Sequence, residues 1–117
     1  MWRDEAYLLD IVIAARKVLD FTNGVDGAEF EGDEVLQNAV LHLLGIVGEA
    51  ARHVSDEFRG AHPEVPWRAM AGLRNRVVHE YFRVDLPMVW EVVQRDIPEL
   101  IKLIEPLLPS ESGPSGT

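Results

Sequence analysis

The sequence predicts an all-α domain: an antiparallel bundle of four main helices, with a short extra helical turn between the second and third. Three observations carry that expectation. Apolar residues recur at three- and four-residue spacing through four long stretches. The breaks between them hold Gly, Pro, Asn and Asp, residues that cap or end helices. No strand pattern and no internal repeat competes with that reading.

Helix one is expected over 4–23, with Leu8, Ile11, Val12, Ala15, Val18 and Leu19 on one stripe and Asn23-Gly24 as its stop. Residues 24–32 are Gly- and acid-rich and read as a loop. Asp33 is placed to cap helix two, over 34–54, whose stripe is Leu36, Val40, Leu43, Leu44, Val47, Ala51 and Val54. Ser55 opens the short extra turn before Gly60 and Pro63. Pro66 suits the first position of helix three, 66–82. Asp85 caps helix four, 86–106, with Val89, Trp90, Val93, Ile97, Leu100, Ile101 and Ile104 inward. Pro98 falls inside that helix and predicts a kink or break near residue 94. Residues 1–108 thus form one domain. The tail 109–117 has nothing to bury and is expected to be disordered.

Composition narrows the function classes. At 117 residues the chain can bury one core without staples. It has no cysteine, which removes disulfides, thiolate metal sites and Cys nucleophiles. That usage fits a cytoplasmic protein. The opening residues are too acidic for a signal peptide, and no apolar run is long enough to span a membrane. The net charge of −9 argues against nonspecific coating of nucleic acid. Its distribution is uneven: −7 over residues 1–50, +2 over 51–83 and −4 over 84–117. Three of the four histidines lie in the one net-basic segment.

That segment contains Arg74-Asn75-Arg76-Val77-Val78-His79-Glu80-Tyr81, which brings together a guanidinium, an amide, an imidazole and a phenol. Such a set can grip a phosphate and move a proton beside it with no metal and no cofactor. At about 100° per residue, Tyr81 falls about 20° from Arg74, while His79 lies about 140° away. Arg74 and Tyr81 then share an apolar arc with Met70, Leu73 and Val77. Asn75 and His79 lie on its flank. An arginine on an apolar arc needs a partner: a buried carboxylate that it tethers, or an interface. His79 alone would fit a capping or core-satisfying imidazole, and Tyr81 a core residue with its hydroxyl at the rim. If Arg74 and His79 serve one phosphate, the helix distorts near residue 79 or two copies of it build the site across a two-fold axis.

Helix two offers support on the side away from its stripe. Gly45 and Gly48 allow close helix approach, and Glu49 could orient Arg74 or simply be solvated. Other chemistries lack their residues. Glu49 and His53 have no second Glu-x-x-His partner for a di-iron site, and no phosphate loop or serine elbow is present.

Beyond these residue-level readings, Arg74-Asn75-x-x-x-His79-x-Tyr81 resembles the R-x4-H-x-Y signature of HEPN-domain toxins of the HepT type. Ile46-Val47-Gly48-Glu49-Ala50-Ala51 resembles that family's IGEAA segment. His62 to Trp67 resembles its hPeipW lead-in, and Val84-Asp85 through Trp90 resembles the start of its last helix. The resemblance covers residues 4–108 and implies an HEPN-like bundle. It further implies a homodimeric, metal-independent endoribonuclease, the toxin of a prokaryotic toxin–antitoxin pair. Its partner would be a cognate minimal nucleotidyltransferase antitoxin that transfers AMP to the motif tyrosine. By that resemblance Arg74 and His79 are catalytic, Asn75 supports them, and Tyr81 is the modification target. The acidic net charge sits awkwardly with RNA as substrate. Two further readings compete. One is a noncatalytic helical module that docks a nucleotidyltransferase and presents nucleotide or substrate. The other is a dimerisation domain with Arg74 as tether.

Overall fold

The computed structural model describes residues 2–79 and 83–109. It is an all-α bundle whose centre is α3 (Glu34–His53), packed between α1 (Trp2–Phe21) on one side and the short helices α5 (Trp67–Ala71) and α6 (Leu73–Val77) on the other. The last long stretch, α7 (Leu86–Glu91), a π-helical turn (Val92–Asp96) and α8 (Ile97–Ile104), closes the bundle, with α8 against α1. Among the described residues no helix is long and apolar enough to cross a membrane.

The two long helices follow their apolar stripes. Leu8, Ile11, Val12, Ala15 and Val18 of α1 are buried against Val40, Leu43, Leu44, Val47 and Ala51 of α3. Each large aliphatic side chain buried there contributes about 1.5–3 kcal/mol of transfer free energy. The chain leaves α1 through Gly24, whose φ of 78° suits a residue without a Cβ. Asp33 caps α3 by accepting from the Leu36 N–H at 3.0 Å. Gly48 permits the close packing of α3 on α5, because a Cβ there would stand 3.1 Å from the Met70 carbonyl oxygen and 3.2 Å from that of Ala71.

The expected extra turn is α4 (Asp56–Ala61), capped by Ser55, whose hydroxyl accepts from Phe58 N–H at 3.1 Å. Its start is tied to α1 by the buried Asp4 carboxylate, which accepts from Ser55 N–H at 2.9 Å and Ser55 Oγ at 2.7 Å. Both acidic oxygens are thereby satisfied in a place where an unpaired carboxylate would be costly.

Two sequence expectations change, and the break expected near residue 94 is present. The loop 24–32 contains α2 (Gly27–Glu31), held by a reciprocal capping box between Asp26 and Glu29 at 2.8 and 2.9 Å. Phe30 from α2 is fully buried and stacks on Trp90, with ring centroids 5.0 Å apart. The long helix four is interrupted where Pro98 requires it. Pro98 has no N–H to give and crowds the carbonyl of Gln94, so the turn before it widens and Ile97 N–H reaches back to Val92 C=O. The change in helix three matters most for function. Helix three was expected to continue to residue 82, but its helical part divides at Gly72 and ends at Val77. Residues 80–82 and the expected tail from 110 onward lie outside the described residues.

Candidate functional site

The end of α6 determines where the motif residues go. After Val77 the chain turns extended, with Val78 at φ −115° and ψ 119°. Backbone bonds from further along the chain hold it there. Asp85 N–H donates to Val77 C=O and His79 N–H donates to Arg83 C=O, both at 2.7 Å. Val78 and Val84 form an isolated antiparallel bridge across the same neck. A helix continuing through His79 would forfeit these bonds. The distortion near residue 79, one of the two ways the motif could serve a single phosphate, is therefore present in the chain.

This local structure changes the helical projection. Met70, Leu73 and Val77 are buried, as their arc requires, but Arg74, Asn75 and His79 are all exposed. Arg74 does not sit in the apolar core: it lies at the edge of the buried arc of Met70, Leu73 and Val77 and faces out. Among the described residues its guanidinium makes no hydrogen bond or ion pair, so no described carboxylate uses it as a tether. Tyr81 falls outside the described residues.

Arg74 and Asn75 border a polar cleft of about 220 Å³ between α3 and the α5–α6 pair. Gly45, Gly48, Glu49 and Arg52 line it from α3, and Ala71 lines it from α5. Gly45 leaves the guanidinium room: the nearest atom to a Cβ built there would be Arg74 Nη1, at 3.8 Å. Glu49 does not orient Arg74. Its carboxylate accepts from Arg52 Nη1 at 3.0 Å, and its Oε2 stands 3.7 Å from His53 Nδ1. Arg52 also donates from Nη2 to the Ala71 carbonyl at 2.9 Å, which serves a helix-end acceptor of α5. The sequence reading did not single out Arg52. Its i, i+3 spacing from Glu49 was the available signal.

His79 lies four residues after Asn75, past the end of α6, and is not among the cleft's lining residues. Its Nε2 is 3.6 Å from Asp85 Oδ2, beyond a good hydrogen bond but within ion-pair reach. Asp85 is itself held in place, since its side chain caps α7 by accepting from Met88 N–H at 3.1 Å. Asp85 thus sets a positioned carboxylate beside the His79 imidazole. The sequence marked Asp85 as a cap; its proximity to His79 follows from the backbone bonds that pair Val77 and His79 with Asp85 and Arg83. On the outer face of α6, Arg76 donates to Asp96 of the π turn at 2.6 Å. That pair anchors the helix that carries Arg74 and Asn75.

A larger groove of about 310 Å³ runs between α5 and α8, with Met70, Leu73, Leu100 and Leu103 inside and charged groups at its rim. Its mostly apolar lining suits packing better than phosphate chemistry. Among the described residues, no three His, Asp or Glu side chains gather as metal ligands do.

The surroundings of the site match known proteins over nearly the whole fold. A family model described as ribonuclease HepT-like matches residues 11–107. A protein of Methanocaldococcus jannaschii named "Putative RNase MJ1380" is 40% identical over 101 residues, spanning 86% of this chain and 93% of that protein. One of Thermococcus cleftensis named "Probable ribonuclease HepT" is 40% identical over 94 residues, 80% of this chain and 86% of its own length. No solved structure matches the chain.

Proposed function

The chain belongs to the ribonuclease HepT-like family, and from that premise we propose that Arg74, Asn75 and His79 cleave RNA without a metal, by attack of the ribose 2′-hydroxyl on the adjacent phosphate. The observation that carries this reading is the exposed Arg74 guanidinium, unpaired among the described residues, on a polar cleft at the helix whose end leads directly to His79.

Neutral His79 takes the 2′-hydroxyl proton, and O2′ bonds to phosphorus as the bond from phosphorus to the 5′-oxygen breaks. The leaving oxygen collects a proton from an imidazolium, and a 2′,3′-cyclic phosphate remains. An imidazole can accept a proton when neutral and donate one when protonated, so it suits either transfer. Arg74 holds the phosphate oxygens in a planar fork and meets the charge that builds on them. Asn75, beside it on the cleft, offers an amide to the same oxygens. One protomer has one His79, so a base and an acid acting together call for a second copy. A homodimer with a shared site supplies both and gives the exposed motif face its cover.

The same reading makes this chain the toxin of a toxin–antitoxin pair. A cognate nucleotidyltransferase would silence it by transferring AMP from ATP to the Tyr81 hydroxyl, with pyrophosphate leaving. The added phosphate would compete with RNA for Arg74. The test is RNA cleavage in excess chelator by wild type and by folded His79→Ala, with Tyr81→Phe exposed to a minimal nucleotidyltransferase and ATP. Cleavage by wild type alone, and escape of Tyr81→Phe from silencing, are the expected results. Loss of wild-type cleavage in chelator with recovery on adding a divalent metal would end the metal-free mechanism.

A further inference from the structure

The two glycines of α3 that face the cleft have different reasons to be there. Gly48 is needed by the fold, because a Cβ would press on two backbone carbonyls of α5. Gly45 is not. It stands in the middle of a 20-residue helix, where glycine costs about 1 kcal/mol relative to alanine, and the protein places no backbone against it. The space kept open at Gly45 borders Arg74 on one side and continues along α3 to Arg52. Arg52 is already oriented by Glu49 and by the Ala71 carbonyl, so its side chain has lost much of its freedom before any ligand arrives.

We propose that this cleft is a phosphate subsite for the RNA backbone, in which Gly45 is a bare floor and Arg52 is a second, pre-positioned cation beside Arg74. The assignment rests on the RNA-cleaving reading of Arg74 and adds to it a place for the strand. Charge favours it. The cleft holds two guanidinium groups and one carboxylate, so Glu49 offsets one cation and the other remains for an anion. The glycine matters sterically: without a side chain at 45, phosphate oxygens can approach α3 beside the guanidinium, whereas a longer side chain would occupy that space. Asn75 contributes an uncharged amide on the opposite wall. The subsite also eases a difficulty raised by composition. A chain with net charge −9 needs no broad basic surface if its phosphate contacts are concentrated here.

The experiment measures binding of a fluorescent single-stranded oligoribonucleotide, and of DNA of the same sequence, across a salt series. The background is His79→Ala, so that binding is read without cleavage. Arg52→Gln should weaken both ligands several-fold and lower the slope of log affinity against log salt by about 0.7, the value for one phosphate contact on a single strand. Arg52→Lys should keep the slope. Gly45→Ala should melt a few degrees higher, as removal of a helix-interior glycine does. Gly45→Leu should fold and lose affinity at least as much as Arg52→Gln. Glu49→Gln, which keeps an acceptor for Arg52 but removes a negative charge, should tighten binding. Unchanged affinity and slope in Arg52→Gln would overturn the subsite, as would weaker binding in Glu49→Gln, which would mark a ligand read by the carboxylate. The cleavage mechanism fails separately. If wild type binds RNA with the full slope yet cuts none, the subsite stands and the catalytic role of His79 falls.

Discussion

The α1–α3 pair and the segment from Trp67 to Asp85 are built on opposite principles. Each long helix runs 20 residues on an unbroken apolar stripe, and α3 begins at a side-chain cap. Among its described residues the motif segment has two five-residue helices, with Pro66 and Gly72 at their N-caps and no side-chain cap, followed by a bridge between Val78 and Val84. The first region gains its stability from repetition. The second is held by individual backbone bonds and by its packing on α3, and it turns three polar motif residues outward while Met70, Leu73 and Val77 stay in the core. A regular helix carries side chains around its axis at fixed angles. Ending it at Val77 takes His79 off the helix, so its side chain is no longer held at the angle of about 140° from Arg74 that an ideal helix would impose.

If that division is real, substitutions in the two regions should separate activity from stability. The largest expected effect is on chemistry: His79→Ala should lower the cleavage rate by about 10²- to 10⁴-fold. Its melting temperature should match wild type, because the ring is exposed. A comparable cost in the other currency is expected of Leu44→Ala, in the fully buried stripe of α3. It should lose about 2–5 kcal/mol in denaturant unfolding while the folded fraction cleaves at the wild-type rate. A large loss of cleavage per folded molecule would show that scaffold and site are coupled.

Asp85→Asn probes the join between the regions. Asparagine caps a helix as well as aspartate does, so α7 should hold. The charge beside His79 is lost, however, and cleavage should fall by about tenfold, read from initial rates. Retained activity would remove Asp85 from the orientation of the imidazole. The smallest effect is expected at the cap of α3, where Asp33→Ala should cost about 1 kcal/mol in thermal unfolding and leave cleavage untouched.

What the sequence made legible follows the same division. Helices α1 and α3, the caps at Asp33, Ser55 and Asp85, and the break forced by Pro98 all rest on local signals, and all are found in the structure. Helix α2 was readable in principle from Asp26 and Glu29, but its box was hidden in a stretch whose glycines and acids look like a loop. The end of α6 was not readable in the same way. Val77-Val78 continues the apolar spacing, and what stops the helix is a pair of bonds involving Arg83 and Asp85. Those bonds decide that the chain leaves the helix after Val77 and that His79 stands beside Asp85. For the same reason Glu49 could be placed near the site but not assigned its partner, which is Arg52.

The most direct test of the central claim is the chemistry of the new RNA ends, analysed by mass spectrometry after digestion in excess chelator. Wild type is expected to leave 2′,3′-cyclic phosphates, and folded Arg74→Ala and His79→Ala to leave almost none. Ends bearing 5′-phosphate and 3′-hydroxyl, or cyclic phosphates formed at the wild-type rate by either variant, would contradict the assignment of Arg74 and His79 to a metal-free transesterification.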